Sequence, residues 1–297
     1  MTPSADLLDF KEWAVLRVAG PDAREFLQGT ATQDVAGLAP GAALPSLFLT
    51  DKGRPVGLAW LVMDASGEAA LLFAEPGSRD RIPRHLERMR VMEDVTVSGP
   101  NGMPRLYAVV GPDRDATARR WAEALAGAEV IAADPMTFLL LPPGAERPGS
   151  VARVLAALTL PDVAEAWRIG AGIPKAGVDF DEARIATELS LEEAISLTKG
   201  CYVGQEVVAR TTHRGAARRR RIGFRYDGSA GFLAHGTELI SGGSVVAGFV
   251  TSTTLEPGTG RGLGMGYLST DALETPGEVR AIRDAVNTHI EVTPWPL

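Results

Sequence analysis

The sequence predicts an α+β chain that ends in a small antiparallel β-barrel. Six short β-rich runs from about Arg219 onward alternate with glycine and proline turns and lack helical spacing, as a barrel or sandwich requires. Two strand–helix–strand passages follow one another between about residues 47 and 141, with a ferredoxin-like texture. The 297 residues, 45% of them apolar, suit two or three compact units. These observations divide the chain into an α+β region, 1–217, with about 47–141 its ferredoxin-like part, and a barrel, 218–297.

Trp13 to Val18 alternates as a half-buried strand and ends at Gly20-Pro21. A helix opening at Asp22 places Ala23, Phe26, Leu27 and Thr30 on one side. Leu47–Thr50, the turn Asp51–Arg54 and the strand Val56–Met63 form a hairpin, and Ala69–Ala74 adds a strand. Ile82, Leu86 and Met89 share a helical face within 78–92, with Pro83 tolerated in the first turn. Val91–Val97 and Leu106–Val110 read as strands, and Ala118, Trp121 and Leu125 mark a helix after Gly111-Pro-Asp113. Glu129–Ala132 and Thr137–Leu141 are short strands, and Pro142–Ser150 is a loop or linker. Pro161–Ile169 is helical, Ser190-Leu-Glu-Glu193 fits a capping box, and Gln205–Thr212 forms a helix from Gly204. The six terminal runs are Arg221–Tyr226, Glu238–Ile240, Val245–Thr253, Leu263–Leu268, Glu278–Ile282 and His289–Val292.

A net charge of −7 argues against general nucleic-acid binding, with the arginines near 210–221 as a local exception. One cysteine excludes an internal disulfide, and the four histidines show no metal-ligand spacing, so no metal site is expected. The first eleven residues lack the order of a signal peptide, and no apolar run approaches the roughly 18–20 residues that span a bilayer. A cytoplasmic protein with no membrane contact is expected.

Reactive side chains concentrate in Lys199-Gly200-Cys201-Tyr202-Val203-Gly204-Gln205-Glu206, followed by Arg210, His213, Arg214 and the run Arg218–Arg221. A helix starting near Gly204 would set the Cys201 thiol ahead of its positive end, where a thiolate is favoured, and Lys199 would add a second cation. Free cysteines are also commonly small buried apolar residues, and the residues alone leave both readings open. Nothing aligns His213 with Cys201 as a nucleophile's base. The arginines suit either a solvated face or an anionic ligand such as a glutamate tail or RNA phosphate. Trp13 and Trp167 suit either the core or a wall against a flat heterocycle. The clusters at Gly170–Gly172 and Gly262–Gly266 lack the strand–helix context of a dinucleotide loop.

The eight-residue run 199–206, continued by Val-Val-Ala-Arg210, closely resembles the signature of the YgfZ family, whose members are related to the glycine-cleavage T-protein, an aminomethyltransferase. Similar segments cover most of the chain: Gly20–Gly29 with Asp34-Val35, Asp51–Arg54, Ala171–Pro174 and Ala247–Ser252. The resemblance implies an aminomethyltransferase-like folate-binding fold, tetrahydrofolate or a derivative as cofactor, and a link to iron–sulfur cluster assembly and tRNA modification. Assembly or client proteins and tRNA are the implied partners. It makes Cys201, with Lys199, the functional centre, Gly200, Tyr202, Gly204, Gln205, Glu206 and Arg210 its motif, and Trp13 a folate contact. Ala164 stands at a second family tryptophan's position, with Trp167 one turn away. The T-protein's catalytic aspartate aligns near Val56-Gly57 and a later glutamate at Gly170, so aminomethyl transfer loses its carboxylates. A one-carbon transferase and an RNA-associated module using Arg210, Arg214 and Arg218–Arg221 remain as alternatives.

Overall fold

The computed structural model describes residues 6–297 apart from 11, 65, 100–101, 126, 143–160, 214–216, 243–244, 275–277 and 284–285. The expected loop Pro142–Ser150 therefore lies outside the described residues from 143 on, as does Arg214. Two compact units form: Met1–Thr159 with Glu192–Gln205, and Leu160–Leu191 with Glu206–Leu297.

The first unit contains β1 (Asp6–Asp9), β2 (Ala14–Ala19), α1 (Ala23–Thr30), β3 (Ala43–Leu49), β4 (Pro55–Met63), β5 (Ala69–Ala74) and α2 (Arg81–Met89). It continues through β6 (Thr96–Ser98), β7 (Arg105–Val110), α3 (Arg114–Ala124), β8 (Glu129–Ala132) and β9 (Thr137–Leu141). Strand order is β3-β4-β5-β2-β6 in one sheet and β1-β7-β9-β8 in the other. The two strand–helix–strand passages thus serve two different sheets, because β6 pairs with β2 whereas β7 pairs with β1 and β9.

All nine residues of β4 and all five of β9 are buried. Each strand is covered on both faces, and neither has a polar side to alternate except the hydroxyl of Thr137. On one face of the five-stranded sheet, α1 and α2 contribute Phe26, Leu27, Ile82 and Leu86 to a core with Leu16, Leu61 and Leu72. α3 covers the four-stranded sheet through Ala118, beside Leu125, Tyr107 and Leu139. Rings join the two sheets. Trp60 and Phe73 are cross-strand neighbours, and Phe138 packs edge-on to Phe73 at 4.7 Å and to Trp60 at 6.0 Å. Such ring pairs contribute about 0.5–1.5 kcal/mol each beyond their buried area.

One expected strand is shorter than its apolar pattern suggests. Val91 and Met92 are 82% and 92% exposed, and the Glu93 carboxylate accepts both their backbone N–H groups, at 2.8 and 3.0 Å. This turn confines the strand to β6.

The second unit begins with α4 (Pro161–Gly170); α5 (Gln205–His213) then leads into it from the motif. Next come β10 (Arg219–Tyr226), β11 (Glu238–Ser241), β12 (Val245–Leu255), β13 (Gly262–Ser269), α6 (Thr270–Glu274), β14 (Val279–Arg283) and β15 (Val286–Thr293). The six strands close as the barrel β10-β13-β12-β11-β14-β15, with β15 returning to β10 at Gly223↔Thr293. Alternation sends Ile222, Phe224 and Tyr226 into the interior with Leu239, Val250 and Leu268.

A buried ionic knot ties α4 to the barrel. Asp179, 1% exposed, accepts hydrogen bonds from Arg168 Nη1 (2.7 Å), Thr251 Oγ1 (2.6 Å), Ser252 Oγ (2.6 Å) and Lys175 N (2.9 Å). Burial pushes its carboxyl up, but the charge of Arg168 and these donors outweigh it and hold it below the usual range. Arg168 also donates to both Glu165 oxygens and to Ile173 O. Trp295 Nε1 and Leu297 N cap the last α4 carbonyls, Ile169 O and Gly170 O. The expected capping box at Ser190 yields only a 3-10 turn, Glu192–Ala194. Ser190 takes φ +49° and donates its hydroxyl to Arg221 O instead.

His85 on α2 is 1% exposed, and its Nε2 has no hydrogen-bond partner among the described residues. Burial, helped by the charge of Arg88, lowers its pKa to about 4. The unfolded chain therefore takes up the proton first. The stability this neutral imidazole preserves is complete above about pH 6.5 and is lost as pH falls toward 4, on the order of 3 kcal/mol. Urea unfolding at successive pH values should show that loss in the wild type and a smaller one in H85L.

Candidate functional site around Cys201

The motif loop is fastened to the connection between α1 and β3, within the first unit. Thr32 Oγ1 donates to Ala194 O (2.6 Å), Gln33 Nε2 to Glu193 O (2.8 Å), Ser196 N to Thr32 O (3.0 Å) and Val203 N to Gly29 O (3.0 Å). Lys199 completes the attachment. Its Nζ lies 2.6 Å from Gln28 O, 2.8 Å from Ala31 O and 2.8 Å from Gln33 O, which uses all three ammonium donors. Burial lowers its pKa to about 8, partly offset by the charge of Asp34, so the ammonium stays protonated at neutral pH. It also lies 5.1 Å from the centroid of the buried Tyr202 ring.

Gly204 explains why the second glycine is needed. At φ +84° a Cβ there would lie 2.6 Å from Thr50 O and 3.1 Å from Gly53 Cα. The loop can pass the β3–β4 turn at this distance only without a side chain. Cys201 is exposed, between Gly200, also exposed, and Tyr202. The buried-apolar alternative for this cysteine is thereby excluded. The helix expected from Gly204 is α5, with Gln205 half-buried and Glu206 and Arg210 exposed on it.

The two tryptophans sit in different units. Trp13, half-buried just ahead of β2, stacks on Phe10 (centroids 4.3 Å apart, planes at 12°) and lies 5.4 Å from Trp60. Trp60 Nε1 is buried with no hydrogen-bond partner among the described residues. Trp167 is half-buried on α4. Position 57 offers no space for a carboxylate: a Cβ there would lie 2.7 Å from Ser78 Oγ and 2.8 Å from Ile82 Cγ1. The Ser78 hydroxyl donates to the buried Glu75. Among the described residues no group of three or more His, Cys, Asp or Glu side chains is placed to hold a metal ion, and no helix is long and apolar enough to cross a membrane.

The arginine run divides by packing. Arg221 is 2% exposed and donates to Leu189 O at 2.6 Å beneath the Trp295 ring, whereas Arg218 and Arg219 are exposed. Arg168 and Asp179 escaped sequence reasoning. Their one signal was an arginine and an aspartate flanking the Ala171–Pro174 turn, with Thr251-Ser252 in the barrel motif.

Residues 219–297 match the glycine cleavage T-protein C-terminal barrel domain. A tRNA-modifying protein YgfZ of Cronobacter sakazakii is 30% identical over 233 residues, covering 72% of this chain and 69% of the relative. This chain belongs to the YgfZ/IBA57 family. The human mitochondrial iron-sulfur cluster assembly factor IBA57 is 28% identical, covering 91% of the chain and 79% of that protein. The family is related to the T-protein: an aminomethyltransferase of Rubrobacter xylanophilus is 29% identical over 89% of the chain and 76% of its own length. The crystal structure of the glycine cleavage system aminomethyltransferase T from Bartonella henselae shares the fold, with a TM-score of 0.80 at 20% identity over 99% of this chain and 86% of that one.

Replacing Lys199 by Met would leave three carbonyls without their donor, at about 1–3 kcal/mol for each that stays dry. Hydrogen exchange should report faster exchange at the Ser196 and Val203 amides, with a loss of roughly 3 kcal/mol in the first unit.

Proposed function

We propose that this chain is a folate-binding accessory protein of iron–sulfur cluster assembly or repair that acts through Cys201. The single observation that carries the reading is an exposed thiol, the chain's only one, on a loop held by Lys199 and at least four further hydrogen bonds. A structural cysteine needs no such presentation. The relatives named as iron-sulfur cluster assembly factors and as tRNA-modifying proteins support the same direction.

One thiolate does not hold a cluster, since such clusters take several soft ligands. Cys201 would therefore donate one lone pair to a cluster iron, while a partner protein supplies the remaining ligands. Lys199 acts here as a positioning residue: its donors face carbonyls, and its effect on the thiol runs through the loop. Gly200 and Gly204 keep the sulfur uncrowded.

The aromatic group of the first unit fits a flat reduced pterin. Trp13 is half-buried with one face on Phe10, and Trp60 Nε1 is a buried donor with no acceptor among the described residues. Trp13 would stack on the heterocycle and Trp60 would bear on its orientation. Bound tetrahydrofolate would supply a reduced carrier ring. Aminomethyl transfer of the T-protein type is disfavoured by the packing at Gly57, which leaves no room for its carboxylate. We place the protein in the cytoplasm.

Calorimetry with tetrahydrofolate should show W13A binding at least tenfold more weakly and C201S binding as the wild type does. In cells lacking the protein, C201S should fail to restore the activity of iron–sulfur enzymes. Full restoration by C201S would remove the cysteine from the mechanism.

A further inference from the structure

In the second unit, two guanidiniums share one aromatic ring on the barrel surface. The Arg184 guanidinium carbon lies 5.5 Å from the Phe249 centroid and 5.1 Å from that of Tyr267. The Arg219 carbon lies 5.9 Å from the same Phe249 centroid. Phe249 and Tyr267 are cross-strand neighbours on β12 and β13, stacked at 5.5 Å, so the platform beneath the arginines is fixed. Arg219 and Arg221 point to the same side of β10, but only Arg221 is committed to internal acceptors.

Neither Arg184 nor Arg219 donates a side-chain hydrogen bond to any described residue. The Glu188 carboxylate is 3.9 Å from Arg184 Nη1, beyond hydrogen-bond reach. The Arg184 side chain is only 21% exposed. Its guanidinium donors are thus left available to an incoming acceptor, with Glu188 as a distant ion-pair partner. Two like charges at one ring repel, and an anion between them relieves that repulsion. A guanidinium that rests its face on a ring keeps its in-plane N–H fork open, the geometry that grips phosphate oxygens in pairs. Arg218, exposed and immediately before β10, adds to the positive character there.

We propose that Arg184 and Arg219, seated on Phe249 and Tyr267, form a phosphate-binding site for an RNA backbone. The net charge of −7 makes this patch an exception to the protein's own field, so local forks and not general attraction supply the contact. An extended polyanion suits it, because exposed Arg218 and Arg219 are consecutive in the chain and Arg184 stands beside them on the Phe249 ring. The site requires no participation of Cys201, so its test is independent of the thiol's role.

The experiment is fluorescence anisotropy of the full chain with a labelled single-stranded RNA oligonucleotide across a series of salt concentrations. Wild type should bind with strong salt dependence. R184Q/R219Q should bind about tenfold more weakly at low salt, with the log–log salt slope reduced by roughly 1.4 for two lost phosphate contacts. R184K/R219K, which keeps charge but not the forks, should fall close to the glutamine variant. If Arg184 proves necessary for folding, R219Q alone, changed at an exposed residue, should reduce the slope by about 0.7. Unchanged affinity and slope in the glutamine variants, or absence of wild-type binding at low salt, would overturn the proposal. Wild-type affinity in R184K/R219K would overturn the fork geometry. Displacement of the RNA by an equal concentration of a polyglutamate peptide would reassign the site to carboxylates.

Discussion

The Lys199 ammonium is the constraint on which the motif loop depends. Its three donors meet the carbonyls of Gln28, Ala31 and Gln33, at the end of α1 and just past it, where a helix leaves acceptors open. One side chain therefore fixes both the exit of α1 and the approach of the cysteine loop. Ser196 N, Val203 N and the Thr32 hydroxyl add bonds between the same two segments. A buried cation is tolerated because every donor is occupied. The exposed sulfur two residues on inherits that rigidity.

The second unit uses the same economy of a buried charge. Asp179 brings together the end of α4, the 171–180 turn and β12, with Tyr267 OH on its own carbonyl at 2.9 Å adding β13. Removing Arg168 alone would leave a buried carboxylate without its cation, at about 3–5 kcal/mol, far more than an exposed pair is worth. Arg221 is a third instance: its guanidinium lies under Trp295 and bonds the Leu189 carbonyl. In each case a charged residue that reads as surface in the sequence serves as an internal fastener.

Those cases mark where legibility ended. Period-two and helical spacing were readable, because α1 buries the four residues its pattern selects, and the strands β5, β8 and β9 have the bounds their apolar runs suggest. A barrel or sandwich of six short strands was readable from turn spacing, and the closed strand order makes it a barrel. Pairing was not. Nothing local to 47–141 shows that β6 returns to β2 while β7 joins β1, since that choice is made by residues far apart in the chain. The site was legible as a motif and illegible as a mechanism. Lys199 beside Cys201 suggests a cation for a thiolate, and only the positions of three carbonyls, some 170 residues earlier in the chain, show where its donors go. Arg218–Arg221 reads as one charge run, yet packing gives Arg219 and Arg221, on the same side of β10, different tasks.

The packing at Gly57 bears on how the family relates to the T-protein. Losing a carboxylate by substitution alone would leave a hole that a reverse substitution refills. Here the Ser78 hydroxyl and Ile82 occupy the space where a Cβ would stand, and Ser78 is held in turn by Glu75 and by Leu58 N at 2.9 Å. Restoring an aspartate at 57 would displace a buried, hydrogen-bonded serine and a core isoleucine, so it would cost overpacking as well as an unpaired charge. The hairpin is packed closed at this position. A fold with that position filled must place any chemistry elsewhere, and the first unit presents the exposed thiol of Cys201.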